Sequence, residues 1–167
     1  KLAYPALERL GATLLDDVAV PISKIAELVE RVEGLATKYN LTIGIFGHAG
    51  DGNMHPTIVH DHGDLDAEKR AIAAFGEIVE IAQSLGGTAS GEHGIGITKM
   101  EFIDESTINT FASYKAKVDP NGHFNKGKLM PGSGLGNAYT PSFGLLEQES
   151  IIMEQSAIGE IADSISD

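Results

Sequence analysis

The sequence has no cysteine, and this absence removes disulfides, thiolate metal sites, iron–sulfur ligation and cysteine nucleophiles together. Any metal bound by these residues must sit on His, Asp, Glu or Asn. Basic residues are scarce: 12 Lys and Arg stand against 24 Asp and Glu, a formal charge of −12. That balance disfavours nucleic acid and anionic membrane surfaces as partners. No apolar run approaches the roughly 20 residues needed to cross a bilayer, and no signal-peptide pattern opens the chain, so a soluble, cytoplasmic protein is the default expectation. An initiator methionine is also missing, as it would be in a piece of something longer. Within these limits, 167 residues is the length of one domain able to bury a real core.

What is present is organised around the stretch Gly47 to His60. An apolar run, Leu41 to Phe46, enters it, and a shorter one, Thr57 to Val59, leaves it. Between them an Asp51-Gly52 pair, flanked by strand-like residues, predicts a tight hairpin. With Asp51 and Gly52 as the two loop residues, Gly50 pairs with Asn53, Ala49 with Met54 and His48 with His55. Directly opposed residues on antiparallel strands share a face, with Cβ atoms about 4.5–5.5 Å apart. Two imidazoles at that separation can bind one metal ion or one polar substrate group. A hairpin with two incidental histidines is the plainer alternative.

The flanking chain reads mainly as helix. Lys1 to Arg9 has the pattern of a helix tail that Gly11 can stop. Ile22, Ile25, Val29, Val32, Ala36 and Tyr39 form an amphipathic stripe, with Ser23 as candidate N-cap. Leu65 to Leu85 is the longest predicted helix; its wide apolar stripe suits burial against a sheet, and Gly86-Gly87 closes it in the left-handed manner. Lys99 to Val118 is again mostly helical, ending at Asp119-Pro120-Asn121-Gly122. His60-Asp61-His62-Gly63-Asp64 mixes potential ligands but reads as a solvated polar turn. Beyond Met130 the composition becomes that of a linker, and Phe143 to Ile165 carries a modest, acid-rich helical stripe fit to pack on a partner or an absent domain. Residues 1–131 therefore form the main unit, and 132–167 a linker and acidic helical tail.

A second chemical motif is Gly91-Glu92-His93-Gly94-Ile95-Gly96. One reading is a turn with Glu92 and His93 in solvent. The other adds Glu92 to His48 and His55 as a third ligand, with open positions for water or substrate, and leaves His93 as a general base. Neighbours on a regular strand face opposite ways, so both can line one cavity only where the backbone turns, as the glycines permit. Two look-alikes fail. Gly122 to Lys128 has the spacing of a phosphate-binding loop, but position 129 is Leu, and no buried strand precedes it. Gly91, Gly94 and Gly96 have the dinucleotide glycine spacing reversed, after too short an extended segment.

Three segments together, His48 to His55, Gly91 to Gly96, and Val118 to Lys128, resemble the signatures of the C-terminal cap region of FAD-linked oxidases, the family of glycolate oxidase D subunits, D-lactate dehydrogenases and D-2-hydroxyglutarate dehydrogenases. Their order and spacing agree, and the likeness covers roughly Lys1 to Pro131. It implies an α+β fold, an antiparallel sheet with helices on one face, ferredoxin-like, as a fragment of a larger flavoprotein. It also implies a D-2-hydroxy acid lying between flavin and cap, its carboxylate and hydroxyl reaching a divalent metal, zinc or manganese, on His48, His55 and Glu92. His93 would take the hydroxyl proton as hydride leaves C2 for the flavin. Asn125 matches a flavin-facing asparagine, although Lys126 replaces the proline that follows it in the family, and Thr57 matches a substrate-contacting polar position. The implied partners are an N-terminal FAD-binding domain absent from this sequence and an iron–sulfur domain or subunit. Through such partners the protein could lie at a membrane periphery. An isolated chain is expected to be inactive. A rival reading keeps the His48, His55 and Glu92 cage as a non-catalytic divalent metal-binding or assembly module.

Overall fold

The computed structural model describes residues 3–126, 128 and 129, and the chain divides into two compact units, Lys1–Gly94 and Ile95–Asp167. The first unit opens with helix α1 (Ala3–Glu8) and strands β1 (Ala12–Leu15) and β2 (Val18–Ala19). A 3₁₀ turn, Ile22–Lys24, runs into helix α2 (Ile25–Tyr39), followed by β3 (Thr42–His48), β4 (Asn53–His60) and helix α3 (Leu65–Ser84). β4 is the spine of the sheet, antiparallel to β3 on one side and to β1 and β2 on the other.

β1 and β2 share one register. Leu15 faces Thr57 and Val18 faces Met54, which sets Asp16 opposite Pro56 and Asp17 opposite His55. The Asp16 N–H donates to the Pro56 carbonyl at 2.8 Å. Proline has no N–H to return that bond, so the ladder lapses at this pair and resumes at Val18. Just past α3, Thr88 makes a single antiparallel bridge with Ala19. With that bridge as the last strand, the chain runs strand, helix, strand, strand, helix, strand, and the sheet runs β3, β4, β1 with β2, Thr88. This is the ferredoxin-like split βαβ arrangement, and the expected α+β fold with an antiparallel sheet holds.

α2 and α3 cover the sheet face that carries Val18 and Ile58. Leu28, Val32, Ala74, Ile78, Val79 and Ala82 are fully or almost fully buried with them, each large side chain contributing roughly 1.5–3 kcal/mol of transfer free energy. In α2 the buried positions are Leu28, Val32 and Leu35; Val32 lies on the predicted stripe, Leu28 and Leu35 one position to its side, and Ile22 is exposed. Ser23 is not the N-cap. It lies in the 3₁₀ turn that Pro21 starts, and Lys24 holds the cap position without a side-chain hydrogen bond. α3 has a true cap in Asp64, whose Oδ1 accepts from the N–H groups of Asp66 and Ala67 at 3.1 and 3.0 Å. The predicted left-handed ending is present at Gly86, with φ of 81°.

The other face of the sheet carries α1. A Cβ on Gly44 would stand 2.7 Å from Leu7, and the Tyr4 ring meets Phe46 edge-on at a centroid distance of 4.6 Å. Gly44 and Phe46 pair with Thr57 and His55, so α1 shares its face with His55.

In the second unit a 3₁₀ turn, Met100–Phe102, and helix α4 (Glu105–Val118) make up the mostly helical stretch expected from Lys99 to Val118. Asp104 is extended and caps α4, its carboxylate accepting from Ser106 Oγ, Thr107 Oγ1 and the Thr107 N–H. The linker and acidic helical tail expected over 132–167 lie outside the described residues.

Candidate metal and substrate site

The hairpin turn is two residues longer than expected. His48 pairs with Asn53, Gly47 with Met54 and Phe46 with His55, leaving Ala49 to Gly52 as a four-residue loop. The reason lies on the far side of β4: the Gly52 carbonyl accepts from the Val20 N–H at 2.9 Å, which enlists Gly52 in pairing with the strand beyond. Gly52 has φ of 75°, and a Cβ there would press on the Val20 carbonyl, so the position requires glycine. Strands alternate faces with a period of two, so this shift leaves both histidines on one face as diagonal neighbours. Their ring centroids are 5.4 Å apart.

Glu92 meets them. Its Oε1 lies 3.2 Å from His55 Nε2, 3.5 Å from His48 Nε2 and 3.4 Å from His93 Nε2. The donor atoms of His48, His55 and Glu92 all lie within 4.8 Å of one another. His55 is buried, while His48, Glu92 and His93 are about half exposed. The His93 ring stacks on His55, centroids 5.0 Å apart and planes 10° from parallel, so the loop turns enough to direct two consecutive side chains to one place. A cavity of about 420 Å³ opens beside the cluster, walled by Tyr4, Phe46, His48, His55, Glu92 and His93. Two imidazole nitrogens and a carboxylate beside open space fit a divalent ion with coordination positions left for water or substrate.

Asp17 holds this loop, and the sequence reading missed it. Its buried carboxylate accepts from Ser90 Oγ at 2.7 Å and from the N–H groups of Gly91, Glu92 and His93 at 2.9, 3.1 and 2.9 Å. Burial alone would raise its pKa, but the Ser90 hydroxyl and the three backbone donors outweigh that and hold it at about 2. Asp17, His55 and His93 also bring donor atoms close together, yet the oxygens of Asp17 are already engaged by the loop, which leaves it a poor ligand. Gly91 lies so close to β4 that a Cβ would stand 2.2 Å from Asn53 Oδ1.

Tyr4 is a second residue not foreseen. Burial raises its pKa, the carboxylates of Asp17, Glu92 and Glu8 add to the rise, and a hydrogen bond with Thr57 opposes it. Thr57 itself is fully buried and does not wall the cavity, which it approaches through the Tyr4 phenol. Asn125 lies in the second unit with φ of 44°, its carbonyl accepting from the Lys128 N–H at 3.1 Å. The phosphate-loop look-alike closes on its own acid: Asp119 accepts from the N–H groups of His123 and Phe124 and from Lys115 Nζ. The Lys115 ammonium, with those backbone donors, holds its pKa at about 2. The His60 to Asp64 turn is local as expected, with Asp64 capping α3.

Fold and cluster define a class: a ferredoxin-like α+β unit with a His-His-carboxylate set on the sheet face opposite α2 and α3. The chain belongs to the family of FAD linked oxidases, C-terminal domain, which it matches over residues 1–129, and the family implies FAD. It is 42% identical over 133 residues to the glycolate oxidase subunit GlcD of Bacillus subtilis (strain 168), covering 77% of this chain and 28% of that protein. Identity to the protein of the same name in Escherichia coli (strain K12) is 36% over 136 residues, 78% of this chain and 27% of the relative. To the mitochondrial D-lactate dehydrogenase [cytochrome] of Arabidopsis thaliana it is 34% over 122 residues, 71% and 22%. The chain thus spans less than a third of the length of these curated relatives.

Proposed function

We propose that this chain is the substrate- and metal-binding part of an FAD-dependent D-2-hydroxy acid dehydrogenase or oxidase of the D-lactate or glycolate type. In this reading residues 1–131 are the C-terminal part of its cap, and the flavin is held mainly by an N-terminal domain. The observation that carries it is the meeting of three imidazole Nε2 atoms on one Glu92 oxygen at the edge of a cavity. His48, His55 and Glu92 would hold a divalent ion such as zinc or manganese. When bound, the ion supplies Lewis-acid polarisation of the substrate hydroxyl and the flavin supplies a hydride acceptor.

The chain's own residues do the rest. His93, half exposed and stacked on buried His55, keeps a ring nitrogen at the cavity, from which it takes the hydroxyl proton of the substrate. Phe46 and Tyr4 form the apolar wall that excludes water from the small hydroxy acid. Thr57 acts on that substrate through Tyr4, and Asn125 belongs to the flavin contact. An iron–sulfur domain or subunit is the proposed electron acceptor. The proposed location is cytoplasmic, with any membrane association through partners. Among the described residues no helix is long and apolar enough to cross a membrane.

The test is His93→Ala in the intact protein, assayed with D-lactate, glycolate and D-2-hydroxyglutarate alongside elemental analysis. Turnover should fall by about 10²–10⁴-fold with metal content unchanged. Unchanged turnover would favour a non-catalytic metal-binding or assembly module, which has no use for an unligated base.

A further inference from the structure

We infer that Asp17 is the positioning residue of this site: it fixes the tautomer of His55, with the hydrogen on Nδ1, and in the same act holds the loop that brings Glu92 to His55 Nε2. The inference rests on reading His48, His55 and Glu92 as cation ligands. It adds what leaves Nε2 of His55 available to ligate.

The register of the sheet is the starting point, because it stands Asp17 directly across from His55. Asp17 Oδ1 is 3.6 Å from His55 Nδ1, just beyond a hydrogen bond, and Nδ1 is buried with no hydrogen-bond partner among the described residues. His55 is 5% exposed, so water is not a ready substitute. A carboxylate can only accept. A bare Nδ1 lone pair would face it as one acceptor against another, whereas an Nδ1–H would donate to it and needs only a few tenths of an ångström to do so.

With the hydrogen on Nδ1, the lone pair of Nε2 points at Glu92 Oε1, 3.2 Å away. Two acceptors facing each other at that distance need a positive charge between them, a second proton on the ring or a metal ion. The same carboxylate that imposes this also builds its other half, since the N–H groups of Gly91, Glu92 and His93 and the hydroxyl of Ser90 all end on Asp17. A carboxylate behind a ligating imidazole sets ring orientation and raises ligand basicity. Here it also spaces the opposing ligand, so ring and loop cannot be moved independently.

The test uses the intact protein, labelled with ¹⁵N-histidine, and zinc as the probe. Multiple-bond ¹H–¹⁵N spectra, with His55 assigned by a His55→Gln variant, should show its hydrogen on Nδ1 both before and after zinc is added. Asp17→Asn places an amide N–H₂ within reach of Nδ1 and should drive the hydrogen to Nε2, weakening zinc binding by about 10–100-fold. Ser90→Ala removes the hydroxyl's bond to Asp17 and the one it accepts from the Gly94 N–H but leaves Asp17 facing His55 with its three backbone donors, so it should weaken binding less and keep the tautomer. Equal losses in the two variants with an unchanged tautomer would reduce Asp17 to a structural part and overturn the inference. A hydrogen on Nε2 of the wild-type ring would overturn it without any variant. Zinc binding that survives removal of both His48 and His55 would instead sink the cage reading, and the wild-type tautomer would still decide the role of Asp17.

Discussion

Adding one methyl group at Gly91 asks whether the loop and β4 are as tightly coupled as the geometry states. The Cβ of Gly91→Ala would stand 2.2 Å from Asn53 Oδ1, 2.4 Å from its Cγ and 2.9 Å from its Nδ2. Carbon atoms settle about 3.5–4.0 Å apart, so something must move by more than about 1 Å. The Asn53 backbone cannot yield easily, since it pairs with His48 on one side and Ala19 on the other, and its side chain is buried. Overpacking of this kind costs about 1–3 kcal/mol. If the loop gives way, the Gly91 N–H leaves Asp17, now 2.9 Å away, and Glu92 leaves His55 with it. Urea unfolding should therefore show a loss of about 1–3 kcal/mol, and calorimetric titration with zinc should show weaker binding. Gly94→Ala is the control: among the described residues nothing lies within 4 Å of its Cβ, but φ is 86°. It should cost about 1–2 kcal/mol of backbone strain while leaving zinc affinity nearly intact. A Gly91→Ala protein as stable and as tight-binding as its parent would refute the reasoning.

Two further outcomes are expected. The Asp17 carboxyl titrates at about 2 in the folded protein against an ordinary 3.8, so the stability it confers is complete above the ordinary value and is lost as pH falls from there through the folded value. At about 1.4 kcal/mol per tenfold change in proton affinity, less solvent screening, it is worth about 1–2 kcal/mol. Acid unfolding of Asp17→Asn should be shallower by that amount, and parallel curves for the two proteins would contradict it. Thr57→Val keeps the shape and removes the hydroxyl that lowers the Tyr4 pKa. The phenol should then titrate at still higher pH, as read from the phenolate absorbance that a Tyr4→Phe variant lacks, and an unmoved titration would show that the two groups do not interact.

Much of this arrangement was legible in the chain itself, and the failures have identifiable causes. The hairpin and the helix of Leu65 to Ser84 follow from local pattern, while the meeting of residues 48, 55 and 92 was one of two readings the residues left open and the one the family resemblance implied. The register did not, because a two-residue Asp-Gly turn is favoured only when nothing else claims Gly52, and Val20 does. Asp17 stayed hidden for the same reason. Two acids in an otherwise apolar extended segment were the available signal, but only the pairing of that segment with β4 sets one of them opposite His55. Tyr4 carries no local mark at all, since its role depends on α1 lying across Phe46. Asp104 could have been found from Asp104-Glu105-Ser106-Thr107, a run in which an acid precedes hydroxyls suited to a cap. Leu28 and Leu35 were passed over for Val29 and Ala36, one position further on, an error that only the direction of the sheet corrects.

The loop from Ala49 to Gly52 carries a rule of parity for any protein built on this plan. Because β3 and β4 must both present a histidine outward, residues can be gained or lost in the connection in twos without harm to the cluster. A single insertion that shifted β3 by one position would turn His48 inward among the helices and bring Gly47 out in its place. Length variation that moves the pairing of β3 on β4 should thus be even-numbered wherever the cluster is used.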